Sequence, residues 1–161
     1  LSLVNGNCVN FMNSGDSLIK IHDLPNKDVV CGGAIVKYPN KTRLSKSRDM
    51  KTIRKDIPAS HQSMVYRESC YRKFKYSEKL KYASDYLLLL RIFNDGGDIL
   101  RSNSNISIIS SGGVADNDRI AVHLEYFKIL REYNYRIHNR LLLICKEYIK
   151  IILKRIISSF S

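Results

Sequence analysis

The sequence lacks any long hydrophobic run. No apolar stretch approaches the ~20 residues that a membrane-spanning helix needs. Residues 1–9 are interrupted by an Asn-Gly-Asn triplet at 5–7, a pattern that does not predict a secretory signal peptide. Because 44% of the 161 residues are hydrophobic, the chain can bury a core. This composition excludes intrinsic disorder as a description of the whole chain.

Closely spaced cysteine pairs are also missing. The sequence has four cysteines, none of which belongs to a Cys-x-x-Cys motif: Cys8, Cys31, Cys70 and Cys145. This spacing argues against a zinc site and against a disulfide scaffold. It predicts reduced thiols, and therefore a cytoplasmic protein.

Acidic residues are scarce, and the resulting positive charge is concentrated. The chain has 27 Lys and Arg against 15 Asp and Glu, a net charge of +12. Residues 37–55 hold eight basic residues and one acid, and residues 136–161 hold six and one, so +7 and +5 account for the whole excess. Two such patches favour a polyanionic partner such as nucleic acid, a diphosphate or anionic lipid. A solvated loop and a solvated helix face would have the same composition.

The predicted elements alternate between strands and helices, which indicates an α/β domain. Strands are predicted at residues 9–12, 28–38, 99–100 and 106–109; helices at 63–72, at 83–94, and from a cap at Asp116 or Asn117 to about Tyr133. The pair Gly32-Gly33 predicts a bulge or a close backbone approach within its strand. Gly96-Gly97 is expected to end the apolar, and hence buried, helix before it. The basic stretch after Pro39 is predicted to be a loop or mobile excursion.

Residues 141–160 form the clearest amphipathic helix. At about 100° per residue, one side carries charges and the other is aliphatic. The charged side holds Lys146, Glu147, Lys150 and Lys154, and the apolar side holds Leu142, Cys145, Ile149, Ile152, Leu153 and Ile156. A basic face opposite a broad apolar face is typical of a helix lying in a membrane interface. A terminal helix docked on its own domain or on a partner chain has the same pattern.

Two short motifs supply candidate ligand-binding residues. Asp16 ends an Asn-Ser-Gly-Asp turn after an apolar strand, where it could hold Mg²⁺ or Mn²⁺, although this is also an ordinary turn sequence. His61 and Gln62 precede a predicted helix and could bond a ligand and a sugar hydroxyl. A histidine that only packs and caps is the alternative.

Asp85 opens the buried leucine-rich helix. A carboxylate at this position is stabilised by the helix dipole, which predicts that it caps the helix. Alternatively it is a general base that takes a proton from an attacking hydroxyl. The residues leave both roles open.

Five motifs occur in a specific order: FMNSGD, VVCGGAIVKY, IPASHQSMVYR, KYASDYLLLLR and SSGGV, followed by a helix that contains Glu125. Together they resemble the second half of a family 2 glycosyltransferase of the GT-A fold. The nearest subgroup is that of bacterial enzymes that build surface polysaccharides such as O-antigen or colanic-acid-like chains. The resemblance runs from about residue 9 to residue 133.

The resemblance implies a role for each matching position. Asp85 would be the catalytic base; His61, Gln62 and Arg91 would bind donor or acceptor; Asn13 and Asp16 would bind a divalent cation, Mg²⁺ or Mn²⁺. Asn13 stands where the family has its first acid, so one negative charge is missing. Gly112 and Gly113 match a glycine turn near the site.

The implied reaction is transfer of a sugar from a nucleotide-diphosphate sugar to a saccharide or lipid-linked acceptor, with inversion. It would take place at the inner face of the cell membrane, with peripheral membrane association.

The chain departs from the family at its beginning. In the family the first βαβ segments bind the nucleotide, whereas here only twelve residues precede Asn13. We therefore expect a partial GT-A domain with an exposed sheet edge and an incomplete donor site. It would be a fragment of a longer polypeptide or the product of a truncated gene. The expected organisation is a partial domain over residues 1–135 and a basic amphipathic helix over 136–161.

Two other functions stay open. The basic charge and ten tyrosines are typical of a nucleic-acid-binding module, but the basic stretch has only Tyr38, at its edge, so we expect no nucleic acid partner. The other alternative is a non-catalytic remnant whose basic helix only binds a membrane or a partner.

Overall fold

The computed structural model describes residues 26–112 and 118–159. These residues form a mixed α/β structure, which confirms the predicted class. The strands are β1 (Val29–Tyr38), β2 (Lys41–Ser45), β3 (Met64–Tyr66) and β4 (Ile99–Ser110); the helices are α1 (Glu68–Phe74), α2 (Ser84–Asn94), α3 (Arg119–Glu132) and α4 (His138–Ser159). The strand predicted at 9–12 and the turn at 13–16 lie outside the described residues.

All four strands belong to one sheet that is built around β1. Strand β4 runs parallel to β1 and pairs along most of its length, with Val29 opposite Ile99. The other edge of β1 is shared by two antiparallel strands, β3 beside its first residues and β2 beside its last five. β1 is therefore the central strand, and its burial explains why its first six residues are apolar or glycine.

The predicted irregularity at Gly32-Gly33 is confirmed. The register between β1 and β4 shifts there, so that Gly33 lies opposite Asn105. A Cβ atom on Gly32 would collide with the Ile106 side chain and lie 2.9 Å from the carbonyl oxygen of Ser104. Glycine is thus needed for close backbone approach. The strand conformation predicted for residues 99–100 and 106–109 is confirmed, but their separation into two strands was wrong, because β4 continues through this irregularity as one strand.

The basic stretch after Pro39 was wrongly predicted to be a loop. Residues 41–45 form β2, which makes a hairpin with β1, and a 3-10 turn follows at Met50–Arg54. Every residue of β2 is exposed. Because neither face of the strand is buried, its sequence does not need to alternate apolar and polar residues. Pairing with the buried strand β1 determines its conformation, and hydropathy carries no signal of that pairing.

The single helix predicted over residues 63–72 was also wrong. The chain forms a 3-10 turn at His61–Ser63, then β3, and only then α1. The segment Met64–Tyr66 is too short for the spacing of its apolar residues to distinguish a strand from a helix. Pairing with β1 determines its conformation. The helices predicted at 83–94, to about 133, and at 141–160 are confirmed by α2, α3 and α4. Asp118 accepts the backbone N–H of Ala121 and caps α3; Asp116 and Asn117 lie outside the described residues.

Helix α2 lies between the sheet and α3, as its nearly continuous apolar surface predicts. One face contacts the sheet through Leu88, Leu89 and Ile92, which pack with Val29, Cys31, Ile53, Met64 and Tyr66. The opposite face holds Tyr86, Leu87 and Leu90, which pack with Tyr126, Ile129 and Leu130 of α3. Both faces are buried, so α2 is the centre of the core. The backbone leaves the helix after Asn94 through Gly96, whose φ is +82°.

Helix α4 is attached to this core near its beginning. The Arg140 side chain is only 3% exposed. Its guanidinium donates to the carbonyl of Lys55 at 2.6 Å, pairs with the Asp56 carboxylate at 2.6 Å, and lies 4.4 Å from the centre of the Tyr126 ring. Buried ion pairs need such complete partnering, because an unpaired charge would be very costly there.

Candidate active site

Two of the predicted site residues meet in the structure. Oδ2 of Asp85, the second residue of α2, lies 3.4 Å from Nδ1 of His61, which begins the 3-10 turn before β3. The Asp85 side chain is 15% exposed and that of His61 is 43% exposed. The pair therefore combines a largely buried carboxylate with an imidazole that solvent can reach.

The start of α2 is held in place by α3. The Glu125 carboxylate accepts the backbone N–H groups of Lys81, Tyr82 and Ala83 at 2.9, 2.8 and 2.8 Å. These are groups just before the helix that have no intrahelical acceptor. Glu125 thus fixes the three residues that lead into α2.

The two oxygens of Asp85 have different partners. Oδ1 accepts the backbone N–H of Tyr86 at 2.8 Å, so this oxygen does stabilise the first turn of α2. Oδ2 is the atom near His61. Capping and chemistry are therefore compatible at Asp85, because one oxygen is bound to the helix and the other faces the histidine.

His61 is positioned by a buried pair of hydroxyl groups. Ser63, two residues later, and Ser107 of β4 are fully buried, and their Oγ atoms are 2.5 Å apart. This bond fixes the 3-10 turn to the sheet. Within the turn, the Ser60 hydroxyl donates to the side-chain carbonyl of Gln62, so that this oxygen is directed back into the turn.

Burial governs the electrostatics of Asp85. It raises the pKa of the carboxyl group, against the attraction of His61 and the backbone N–H of Tyr86, while the negative charge of Glu125 raises it slightly further. Asp85 in turn affects its surroundings: the pKa of Tyr76 is raised to about 12 by burial first and by the charge of Asp85 second. Tyr66 is buried, and its pKa is raised by the same two causes among others. A carboxylate with a raised pKa beside neutral phenols is better matched to accepting a proton near neutral pH.

Arg91 lies away from this pair. It is six residues beyond Asp85 on α2, about 9 Å along the helix axis. Its guanidinium donates to the carbonyl of Phe74, the last residue of α1, at 3.2 Å. This bond gives Arg91 a structural role in joining α1 to α2, and its predicted role in donor or acceptor binding stays a prediction.

The predicted cation ligands Asn13 and Asp16 lie outside the described residues. Within residues 26–112 and 118–159, no cluster of three or more His, Cys, Asp and Glu side chains is arranged to hold a metal ion. Gly112 has a φ of +89°, in the left-handed region that favours glycine, in agreement with the predicted glycine turn. Its neighbour Gly113 lies outside the described ranges.

A pocket of about 250 Å³ lies near the other end of α2 from Asp85. Its walls include Ile92, Asp95, Gly96 and Gly97 from α2 and the turn after it, and Cys70 and Lys73 from α1. Lys73 and Asp95 form an ion pair across it, with Nζ and Oδ2 2.6 Å apart. The pocket is therefore separate from the His61–Asp85 pair.

Sequence reasoning missed the residues that position the pair. Glu125 was noted only as part of a helix, and neither Ser63 nor Ser107 was singled out. A glutamate within an otherwise ordinary helix has no local signal of such a long-range contact, because the N–H groups that donate to it are some 40 residues earlier in the chain. Serines in a buried turn and a buried strand are a faint signal, since buried hydroxyls need partners.

Comparison with known proteins adds no relative. No family model matches the chain, and neither a curated protein nor a solved structure is significantly similar to it. The arrangement around Asp85 is therefore the ground for assigning a function.

Proposed function

We propose that this chain is part of a family 2 glycosyltransferase of the GT-A fold. In this proposal the complete enzyme moves a sugar from a nucleotide-diphosphate sugar to a hydroxyl of a lipid-linked saccharide, in the biosynthesis of a bacterial surface polysaccharide. The reaction would take place in the cytoplasm, at the inner face of the cell membrane.

One observation carries the proposal: the 3.4 Å contact between His61 and Asp85. The resemblance assigns both residues to the reaction centre, although they occur in separate motifs. A chance likeness of two motifs would not require their side chains to meet. The mixed α/β class and the parallel pairing of β1 with β4 agree with the proposed fold.

The chemistry begins at Oδ2 of Asp85. This atom takes the proton from the acceptor hydroxyl while the hydroxyl oxygen attacks the anomeric carbon of the donor. The new glycosidic bond forms as the bond to the diphosphate breaks, on opposite faces of the sugar, so the configuration inverts. The proton ends on Asp85, and the electron pair leaves with the nucleoside diphosphate. His61 orients the carboxylate.

Glu125 and Ser63 support this geometry without touching the reacting atoms. Glu125 holds the start of α2, and Ser63 holds the turn that carries His61. A divalent cation, when bound, would offset charge on the departing diphosphate. The resemblance assigns it to Asn13 and Asp16.

The variant Asp85→Asn tests the proposal. The complete enzyme that contains this chain is incubated with UDP-glucose, UDP-galactose or GDP-mannose and with polyprenyl-diphosphate-linked saccharides, and labelled sugar in the lipid fraction is counted. Loss of the general base should lower the transfer rate by about 10²–10⁴-fold. In the wild type, kcat/KM should rise with pH through the pKa of Asp85, because only the carboxylate accepts a proton.

The matched control is Asp95→Asn, the same change at an exposed carboxylate just beyond the other end of α2. It should transfer sugar at the wild-type rate. Full turnover by Asp85→Asn would remove Asp85 from the mechanism. Absence of transfer by the complete wild-type enzyme from every donor would contradict the transferase assignment.

A further inference from the structure

We propose that the outward apolar face of α4 binds an anionic lipid bilayer. This face consists of Leu142, Cys145, Ile149, Ile152 and Leu153. The inference stands on the surface of α4 alone, and it would hold whether or not Asp85 transfers a sugar.

The outward face is exposed over more than two helical turns. Leu142 is 68% exposed, Ile149 56%, Ile152 55% and Leu153 52%. Away from α4, the large hydrophobic side chains that are comparably exposed in the described residues are Leu44 and Leu124, on two different elements. Single exposed leucines are ordinary, whereas a contiguous exposed apolar surface marks an interaction site.

The side of α4 that faces the rest of the protein is the more polar one. Arg140 is buried against Asp56 and Tyr126, and Ile144, one turn later, is also buried. Next on this side comes Glu147, whose carboxylate lies 3.9 Å from the guanidinium of Arg119 on α3. An ordinary surface helix directs its apolar stripe toward the core. In α4 most of the stripe points away from it.

The charges beside the outward face have one sign. Lys146 and Lys150 are exposed along its edge. Glu147 is the one acidic residue in the sequence of α4, and its side chain is only 14% exposed, paired with Arg119 and Lys150. The helix thus presents aliphatic side chains flanked by cations, which complements a layer of anionic headgroups over hydrocarbon.

A second copy of the helix is a poorer fit than a bilayer. The apolar residues with heptad spacing are Leu142, Cys145, Ile149, Ile152 and Ile156. They cover about two heptads, whereas a coiled coil sustains three to four. Self-association would also bring the flanking lysines of two copies together, and Glu147 is the one acid in the sequence of each helix. An anionic surface instead attracts every one of these cations.

The proposed mode is binding along the surface. None of the helices in the described ranges combines the length and the apolar content needed to cross a bilayer. A helix of this kind lies in the plane of the interface, with its apolar face among the upper acyl chains.

Vesicle flotation with the double variant Ile149→Glu/Ile152→Glu tests the proposal. The vesicles are phosphatidylcholine with one third phosphatidylglycerol, and pure phosphatidylcholine is the comparison. The wild type should float with the anionic vesicles and much less with the neutral ones. The variant should lose more than tenfold in partitioning, since two buried aliphatic side chains become two repelled carboxylates.

The matched control is Leu124→Glu, the same kind of change at an exposed apolar position on α3. It should float within twofold of the wild type. Lys146→Gln and Lys150→Gln should each weaken binding about fivefold, and added salt should weaken it further. Circular dichroism melts should show that all these exposed substitutions leave the fold intact.

Three results would overturn the proposal. One is wild-type flotation by Ile149→Glu/Ile152→Glu. Another is failure of the wild type to float with anionic vesicles. The third is absence of vesicle binding together with a concentration-dependent dimer in ultracentrifugation that Ile149→Glu/Ile152→Glu abolishes. That result would identify a second copy of the chain as the partner. None of these measurements requires a sugar donor, so they are distinct from a failure of the transferase.

Discussion

Helices α2 and α4 are both rich in leucine and isoleucine, but the surroundings of those side chains are opposite. In α2 they are buried on two sides, by the sheet and by α3. In α4 Leu142, Ile149, Ile152 and Leu153 are each more than half exposed, while the buried positions near its start include an arginine. The same residue types therefore form the protein's core in one helix and an exposed surface in the other.

Apolar content therefore does not determine whether a helix is buried. α2 has no polar face after its first turn until Arg91, so nothing prevents its enclosure. α4 has lysines on one side, and the anchoring of Arg140 against Asp56 and Tyr126 sets its rotation. Once that rotation is set, the 100° step between residues directs the aliphatic stripe outward.

The largest expected effect sharpens the contrast in packing. Leu89→Ala in α2 leaves a cavity in the core and should lower the free energy of unfolding by about 2–5 kcal/mol. Ile152→Ala in α4 removes a side chain that is already in water and should change it by less than about 0.5 kcal/mol. Urea denaturation of both variants measures the difference. Equal losses would show that the outward face of α4 is packed after all.

The next largest expected change in unfolding free energy concerns the contacts that set the orientation of α4 about its axis. Arg140→Ala leaves the Lys55 carbonyl without this donor and the Asp56 carboxylate with Arg48 as its remaining ion-pair partner, and should cost about 2–4 kcal/mol. Lys150→Ala, on the same helix, breaks an exposed pair with Glu147 and should cost less than about 0.5 kcal/mol. Denaturation followed by helix content gives both numbers. A cost for Arg140→Ala as small as that of the control would mean that α4 is anchored elsewhere.

The smallest expected change in unfolding free energy concerns Asp85, the one acidic residue in the sequence of α2. Burial raises the pKa of Asp85 above its unfolded value, so the folded state binds a proton more tightly there than the unfolded state. Its contribution to stability is therefore present below the unfolded pKa and is lost as pH rises through the folded pKa.

Asp85→Asn removes this dependence, because an amide does not ionise. The variant should exceed the wild type in unfolding free energy by about 1 kcal/mol at pH 7 and match it near pH 3, below the unfolded pKa. Asp95→Asn provides the comparison at an exposed site. A variant that is less stable than the wild type at pH 7 would show that the contacts of the charged carboxylate outweigh its desolvation.

The reactive residues of the candidate site could be predicted from the sequence, whereas the residues that hold them in place could not. His61 and Asp85 stand in short motifs with recognisable residue types, so each could be selected from the sequence. Glu125 and Ser107 could not, because each acts on residues more than 40 positions away. The predicted role of Asp16 as a cation ligand stays a prediction, since Asp16 lies outside the described residues.

The secondary-structure elements also separate into those with a local sequence signal and those that depend on distant residues. Local patterns predict the helices α2, α3 and α4, the strand β1 and the break at its glycine pair, because periodicity, caps and glycine act over a few residues. Long-range pairing was needed to show that residues 41–45 are a strand, that residues 64–66 pair with β1, and that β4 is continuous. These segments take their conformation from hydrogen bonds to a partner strand, and a partner distant in the chain has no trace in local hydropathy.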